Sequence, residues 1–204
     1  MDDPEREGRP SRRVFLSTGA GLAGAAALGT GARPAEAAPA APAAPPETVP
    51  LTMTVNGTRR SLRVDPRASL LDTLREDLAV TGPKKGCDQG ACGACTVLLE
   101  GRRILACLTF APMFDDAEIT TVEGLADGDR LHPVQRAFVE HDGFQCGFCT
   151  SGQVTSAVGL LEKENPRPSR AEIRELMSGN LCRCAAYPNI VAAVEAAARE
   201  TGER

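Results

Sequence analysis

The stretch Lys85-Gly86-Cys87-Asp88-Gln89-Gly90-Ala91-Cys92-Gly93-Ala94-Cys95-Thr96-Val97 decides how this chain folds. Three cysteines fall within nine residues, separated by a gap of four residues and then a gap of two. Four thiolates around a compact inorganic core demand a chain that curls tightly and still leaves room. Gly90 and Gly93 meet that demand, because glycine reaches backbone angles closed to other residues and lets amides approach the sulfurs. The fourth thiol is Cys107, in the strand-like Arg103-Ile104-Leu105-Ala106-Cys107-Leu108, which would return it to the loop. A C-x4-C-x2-C run with a distant fourth cysteine is the ligand spacing of one [2Fe–2S] cluster. Zinc ribbons use two C-x2-C knuckles instead.

The other four of the eight cysteines make a second set, Cys146-Gly147-Phe148-Cys149 with Cys182-Arg183-Cys184. Cys146 and Cys149 are expected one turn apart at the start of a helix that runs from Phe148 on through Val154, Val158, Leu160 and Leu161. Residues three apart share a helix face, so both sulfurs can meet one metal. Gly179 and Asn180, just before Cys182, suit a helix end. Taken alone, C-x2-C with C-x-C admits a second [2Fe–2S] cluster or zinc. Disulfides are a third reading for an exported chain with an even number of cysteines. They fit poorly, because Cys182 and Cys184 are too close to bridge one another easily and the crowded Cys87–Cys95 run is ill placed to staple distant segments.

In order, these motifs resemble the small iron–sulfur subunit of the molybdenum hydroxylases, the xanthine oxidase and aldehyde oxidoreductase family. The likeness rests on the quoted Lys85–Val97 stretch, on Gln145-Cys146-Gly147-Phe148-Cys149-Thr150-Ser151-Gly152 and on Gly179-Asn180-Leu181-Cys182-Arg183-Cys184. It implies an α+β chain, a plant-ferredoxin-like β-grasp domain followed by an all-helical [2Fe–2S]-binding domain of four-helix-bundle type. It further implies two [2Fe–2S] clusters, held by Cys87, Cys92, Cys95 and Cys107 and by Cys146, Cys149, Cys182 and Cys184. A large partner subunit would carry a molybdopterin cofactor in its cytosine-dinucleotide form, with Gln145 and Cys184 lying against the pterin. An FAD subunit is a further partner in part of the family.

The front of the chain reads differently. Ser11-Arg12-Arg13-Val14-Phe15-Leu16 looks like a twin-arginine export signal, followed by a Gly/Ala-rich stretch and an Ala35-Glu36-Ala37 cleavage site. That stretch is too weakly apolar for a stable membrane span. Twin-arginine transport moves folded, cofactor-loaded proteins, which suits cysteines metallated before they meet an oxidising compartment. A periplasmic protein is therefore expected. The organisation follows as signal peptide 1–37, Ala/Pro-rich linker 38–50, ferredoxin-type domain 51–126 and helical domain 127–204.

Local patterns agree with this plan. Leu51–Val55, Asn56-Gly57 and Leu62–Val64 read as a hairpin. Leu70, Leu71, Leu74 and Leu78 recur at helical spacing behind Ser69 as N-cap. Strands are expected at Thr96–Leu99, Ile104–Leu108 and Glu118–Val122, and helices at Pro133–Glu140, Phe148–Glu162, Ser169–Met177 and Pro188–Arg199. His132 and His141 fall at helix ends and read as capping or surface residues rather than ligands or bases. Lys84 and Lys85 read as a solvated pair.

With 23 basic and 27 acidic residues the net charge is −4, and no basic stripe points to nucleic acid. No Trp, one Tyr and six Phe make a poor aromatic core, so metal coordination is expected to contribute to folding stability. No catalytic triad, carboxylate pair, phosphate loop or dinucleotide fingerprint is present. No catalytic residue is expected here, and substrate chemistry falls to another chain. The expected function is electron transfer from a molybdopterin centre through two [2Fe–2S] clusters to FAD or an external acceptor, in oxidation of aldehydes or N-heterocycles. A stand-alone ferredoxin-like carrier is the alternative.

Overall fold

Val49–Val55 (β1) and Thr58–Val64 (β2) pair antiparallel, with Val55 opposite Thr58 across the Asn56-Gly57 turn. Both turn residues take positive φ, 49° and 73°, as the sequence predicts for this hairpin. The computed structural model describes residues 47–202, so the twin-arginine signal and most of the Ala/Pro-rich stretch lie outside the described residues. β1 begins at Val49, two residues inside the stretch assigned to the linker. Pro50 is tolerated there because β1 meets its second neighbour only at Thr54 and Val55, so no ladder donor is lost.

The sheet continues with Thr96–Leu99 (β3), Arg102–Leu105 (β4) and Glu118–Thr120 (β5), in the order β2-β1-β5-β3-β4. β1 and β5 run parallel while the other neighbours run antiparallel. Leu51, Met53 and Val55 alternate into a core with Leu70, Leu71 and Leu74. Those leucines sit on α1, a single helical turn Leu70–Asp72 that widens over Thr73–Asp77. Ser69 caps it as expected, its hydroxyl accepting from the Asp72 N–H at 3.0 Å. β4 stops at Leu105, opposite the first residue of β3, and the chain turns into a 3-10 segment at Ala106–Leu108. Cys107 therefore lies in a tight turn, not on the extended strand the sequence suggests, because the cysteine loop before Thr96 leaves no strand to pair with.

The second half is helical: Pro133–Glu140 (α2), Thr150–Gly159 (α3), Arg170–Leu176 (α4) and Tyr187–Gly202 (α5). His132 caps α2 in a box with Gln135, and Ser169 caps α4 in a box with Glu172. Leu160–Glu164 continues α3 as a wider turn, closed by the Asn165 N–H on the Leu160 carbonyl at 2.8 Å. Phe138, Val154, Ile173, Ile190 and Val194 are buried in one helical core, which Leu98 of β3 joins from the sheet. The two halves thus share side chains. Asn56 also pins the connection between them, accepting from the Thr121 N–H at 2.8 Å and donating to its hydroxyl at 2.9 Å.

Candidate metal centres

The first cradle is a loop bent by three left-handed residues, Asp88, Gly90 and Gly93, at φ 56°, 76° and 71°. That confirms the conformational need read into the two glycines. The bend turns amides onto sulfur: the Ala91 N–H points at Cys87 Sγ at 3.2 Å and the Cys87 N–H at Cys92 Sγ at 3.4 Å. Lys85 Nζ ties the loop to α1, reaching Asp72 at 2.8 Å and Asp88 at 3.3 Å. Leu108 lies against Gly90, where a Cβ would come within 2.3 Å of its side chain.

The second cradle is assembled from two separated segments. Cys149 is the N-cap of α3, but Cys146 precedes the helix, with Gly147 at φ 82° between them. The two sulfurs are therefore brought round by a left-handed turn, and the expected one-turn spacing on a helix face does not occur. Cys182 and Cys184 come from the turn after α4, with Ala185 left-handed at φ 58°. The Ala186 N–H points at Cys182 Sγ at 3.4 Å, and the Cys182 N–H donates to the Tyr187 hydroxyl at 2.8 Å. Gly179 does not adopt the left-handed conformation of a helix-end glycine. Gln145 is exposed and its side chain does not cap α3.

No disulfide joins any of the eight cysteines. Within each set the thiols act on one another: Cys92 on Cys87, Cys107 and Cys92 on Cys95, Cys184 on Cys146, and Cys182 and Cys146 on Cys149. Four thiols in each set match the ligand count of a [2Fe–2S] core, in which four cysteines are shared by two irons. Cys146 is exposed, Cys95 and Cys182 are buried, and the other thiols are half-buried. The Gln89 amide, then the Cys92 side chain, lowers the Cys87 thiol to about 7. Burial pushes Cys95 up to about 12. The Phe148 amide, then the Cys184 side chain, likewise lowers Cys146, and burial pushes Cys149 up to about 12. Accessible low-pKa thiols are the ones a metal meets first.

Thiols of the two cradles line one cleft of about 400 Å³, which Cys87, Cys92, Cys146, Cys149 and Cys182 share with Phe148. Backbone meets backbone there. A Cβ on Gly152 of α3 would lie 2.2 Å from the Gly93 carbonyl oxygen, so only glycine lets the helix rest on the first loop. The Leu181 N–H donates to the Cys92 carbonyl at 2.9 Å. Arg103 of β4 crosses the same boundary, pairing with Glu164 and donating to the Leu176 carbonyl at 2.9 Å. Sequence reasoning passed over Gly152, Arg103 and the side chain of Asn180. A glycine inside the helical Thr150–Val158 pattern was the available signal for the first, since glycine there costs helix stability without a packing reason.

This arrangement defines a two-domain [2Fe–2S] protein, and comparison with known proteins agrees. Residues 53–117 match the 2Fe-2S iron-sulfur cluster binding domain and residues 121–195 the [2Fe-2S] binding domain. The aldehyde oxidoreductase iron-sulfur-binding subunit PaoA of Escherichia coli (strain K12) is 56% identical, over 76% of this chain and 74% of its own length. The nicotine 6-hydroxylase small subunit of Paenarthrobacter nicotinovorans is 48% identical over 78% of this chain and 94% of its own. The crystal structure of quinoline 2-oxidoreductase from Pseudomonas putida 86 superposes with a TM-score of 0.72 at 45% identity, covering 76% of this chain and 97% of that one. The chain belongs to this family of iron–sulfur small subunits of the molybdenum hydroxylases.

Proposed function

We propose that this chain is the electron-transfer subunit of a molybdenum-dependent oxidoreductase acting on aldehydes or N-heterocycles. Cys87, Cys92, Cys95 and Cys107 hold one [2Fe–2S] cluster, and Cys146, Cys149, Cys182 and Cys184 hold the other. The clusters supply one-electron redox steps, and the chain supplies spacing, insulation and the amides that tune potential. The observation that carries this reading is the pair of cradles opening on one cleft and joined by the Leu181–Cys92 hydrogen bond. Substrate chemistry belongs to a large partner subunit bearing the molybdopterin, as the cytosine dinucleotide, with Gln145 and Cys184 facing it. Electrons leave to FAD on a further subunit or to an external acceptor.

Exposed apolar side chains favour a permanent partner over a free-standing carrier. Phe148 and Leu181 are each 51% exposed on the cleft at the second cradle, and Tyr187 is 42% exposed beside them. Such a patch belongs under another subunit. Purification of the native protein tests the reading. Two [2Fe–2S] domains require four irons and four acid-labile sulfides per chain, with a larger molybdenum-bearing chain co-purifying. Four irons with no co-purifying chain would establish the stand-alone carrier instead, and stoichiometric zinc would sink both.

Export by the twin-arginine route to the periplasm belongs to the same proposal. Arg12→Lys with Arg13→Lys should leave cluster-loaded protein in the cytoplasm. Fractionation that still finds the double variant in the periplasm overturns that part alone.

A further inference from the structure

Two consecutive residues of the helical half grip two consecutive carbonyls of the first cradle. The Leu181 N–H holds the Cys92 carbonyl, and Asn180 Nδ2 donates to the Gly93 carbonyl at 3.0 Å. Asn180 is only 6% exposed. Its own carbonyl accepts from Gln153 Nε2 at 2.7 Å and its N–H donates to the Met177 carbonyl at 3.0 Å, so the residue is held from the helical side. The fit against the loop is close, since a Cβ on Gly93 would lie 2.5 Å from Asn180 Nδ2.

The Gly93 carbonyl does not need this bond to be satisfied. Thr96 already donates to it twice, from its hydroxyl at 2.7 Å and its N–H at 3.1 Å. A carbonyl oxygen has two lone pairs, and both have a donor before Asn180 arrives. What the third bond adds is a fixed relation between two loops. We propose that Asn180 is a positioning residue of the electron path, a buried amide that locks the Cys92–Gly93 segment of one cluster loop against the Leu181–Cys182 segment of the other. Its side-chain chemistry suits the task. Asp has the same shape but would set a carboxylate oxygen against a carbonyl, and Ala offers no donor.

The inference rests on the two-cluster reading, which the iron content of the unaltered protein checks separately. The test uses the full-length, cluster-loaded chain, reduced and examined by low-temperature electron paramagnetic resonance, where two nearby reduced clusters split each other's signals. Asn180→Ala and Asn180→Asp should keep four irons per chain, as two [2Fe–2S] domains require, yet blur that splitting into a broad distribution. Iron of the first cluster should also pass to a ferrous chelator about tenfold faster, the rise in open population expected when a buried hydrogen bond is lost. Arg103→Met serves as the control for simple adhesion, because it weakens the same boundary while leaving the Asn180 bond in place. It should retain the unaltered splitting. Should the Asn180 variants fail to hold iron, Gln153→Met releases Asn180 from the helical side and should blur the splitting in the same way. Unaltered splitting in Asn180→Asp or in Gln153→Met, or equal blurring in Arg103→Met, overturns the assignment.

Discussion

The two cradles solve one problem by opposite means. The first is built from its own sequence neighbourhood, where left-handed turns at Asp88, Gly90 and Gly93 aim amides at sulfurs four and five residues away. The second joins segments more than thirty residues apart, Cys146–Cys149 and Cys182–Cys184, and relies on helix packing to bring them together. Local bending sets geometry at the cost of strained backbone. Packing sets geometry only while the core stays folded. The first cradle should therefore outlast the second when the helical core is weakened.

The largest expected effect comes from removing a ligand on either side. Cys149→Ser should lose the second cluster and its two irons while the signal of the first survives, and Cys92→Ser should do the reverse. Iron analysis with electron paramagnetic resonance reads both. If either substitution removed all iron, the cradles would be one cooperative unit and the contrast between them would fall.

Next in size is the helical core. Phe138 is 1% exposed within it, and Phe138→Ala should cost about 3–5 kcal/mol. Cluster loss on warming should then begin at the second cradle. Thermal melts followed at the visible charge-transfer bands and by far-ultraviolet dichroism would show it. Simultaneous loss of both clusters would mean that Leu98, which carries the sheet into the helical core, couples the halves fully.

Gly152→Ala sharpens the comparison from the contact between the cradles. The added methyl must displace the Gly93 carbonyl, and overpacking of this kind costs about 1–3 kcal/mol. Although the residue lies on a helix, the first-cradle signal should change shape more than the second. A change confined to the second signal would contradict the close approach of α3 to the first loop.

The smallest effect is a pH dependence of the helical half alone. The His132 side chain beside Glu162 holds that carboxyl below its usual 4.5. A carboxyl with a lowered folded-state pKa contributes stability above its unfolded value, and the contribution is lost as pH falls below it. Stability should therefore decline below pH about 4.5 more steeply in the native chain than in Glu162→Gln, as melts across that range would report. Parallel acid limbs for the two proteins would remove His132–Glu162 from consideration.

Much of this could be read directly from residue order. The Cys87–Cys95 loop was legible because its geometry is local: cysteine gaps and glycine positions carry the bend in themselves. The hairpin at Asn56-Gly57, the caps at Ser69, His132 and Ser169 and the start of α2 at Pro133 were legible for the same reason. Errors gathered where partners decide. Cys107 left the expected strand because β3 has no residue to pair beyond Thr96, and Cys146 left the expected helix because Gly147 turns left-handed before α3 begins.

By itself, then, the sequence determined the eight cysteines as two sets of four, the bend of the first loop, and the order of a sheet-forming half before a helical one. Only the tertiary structure decided that both sets share a cleft, that Gly152 and Gly93 touch backbone to backbone, and that Asn180 spans the two loops. The reason is one of range. Turns and caps are hydrogen bonds within a few residues and leave a mark in local residue choice. Asn180 and Gly93 stand 87 residues apart, and neither position betrays its partner until helix packing and sheet register bring them to 3.0 Å.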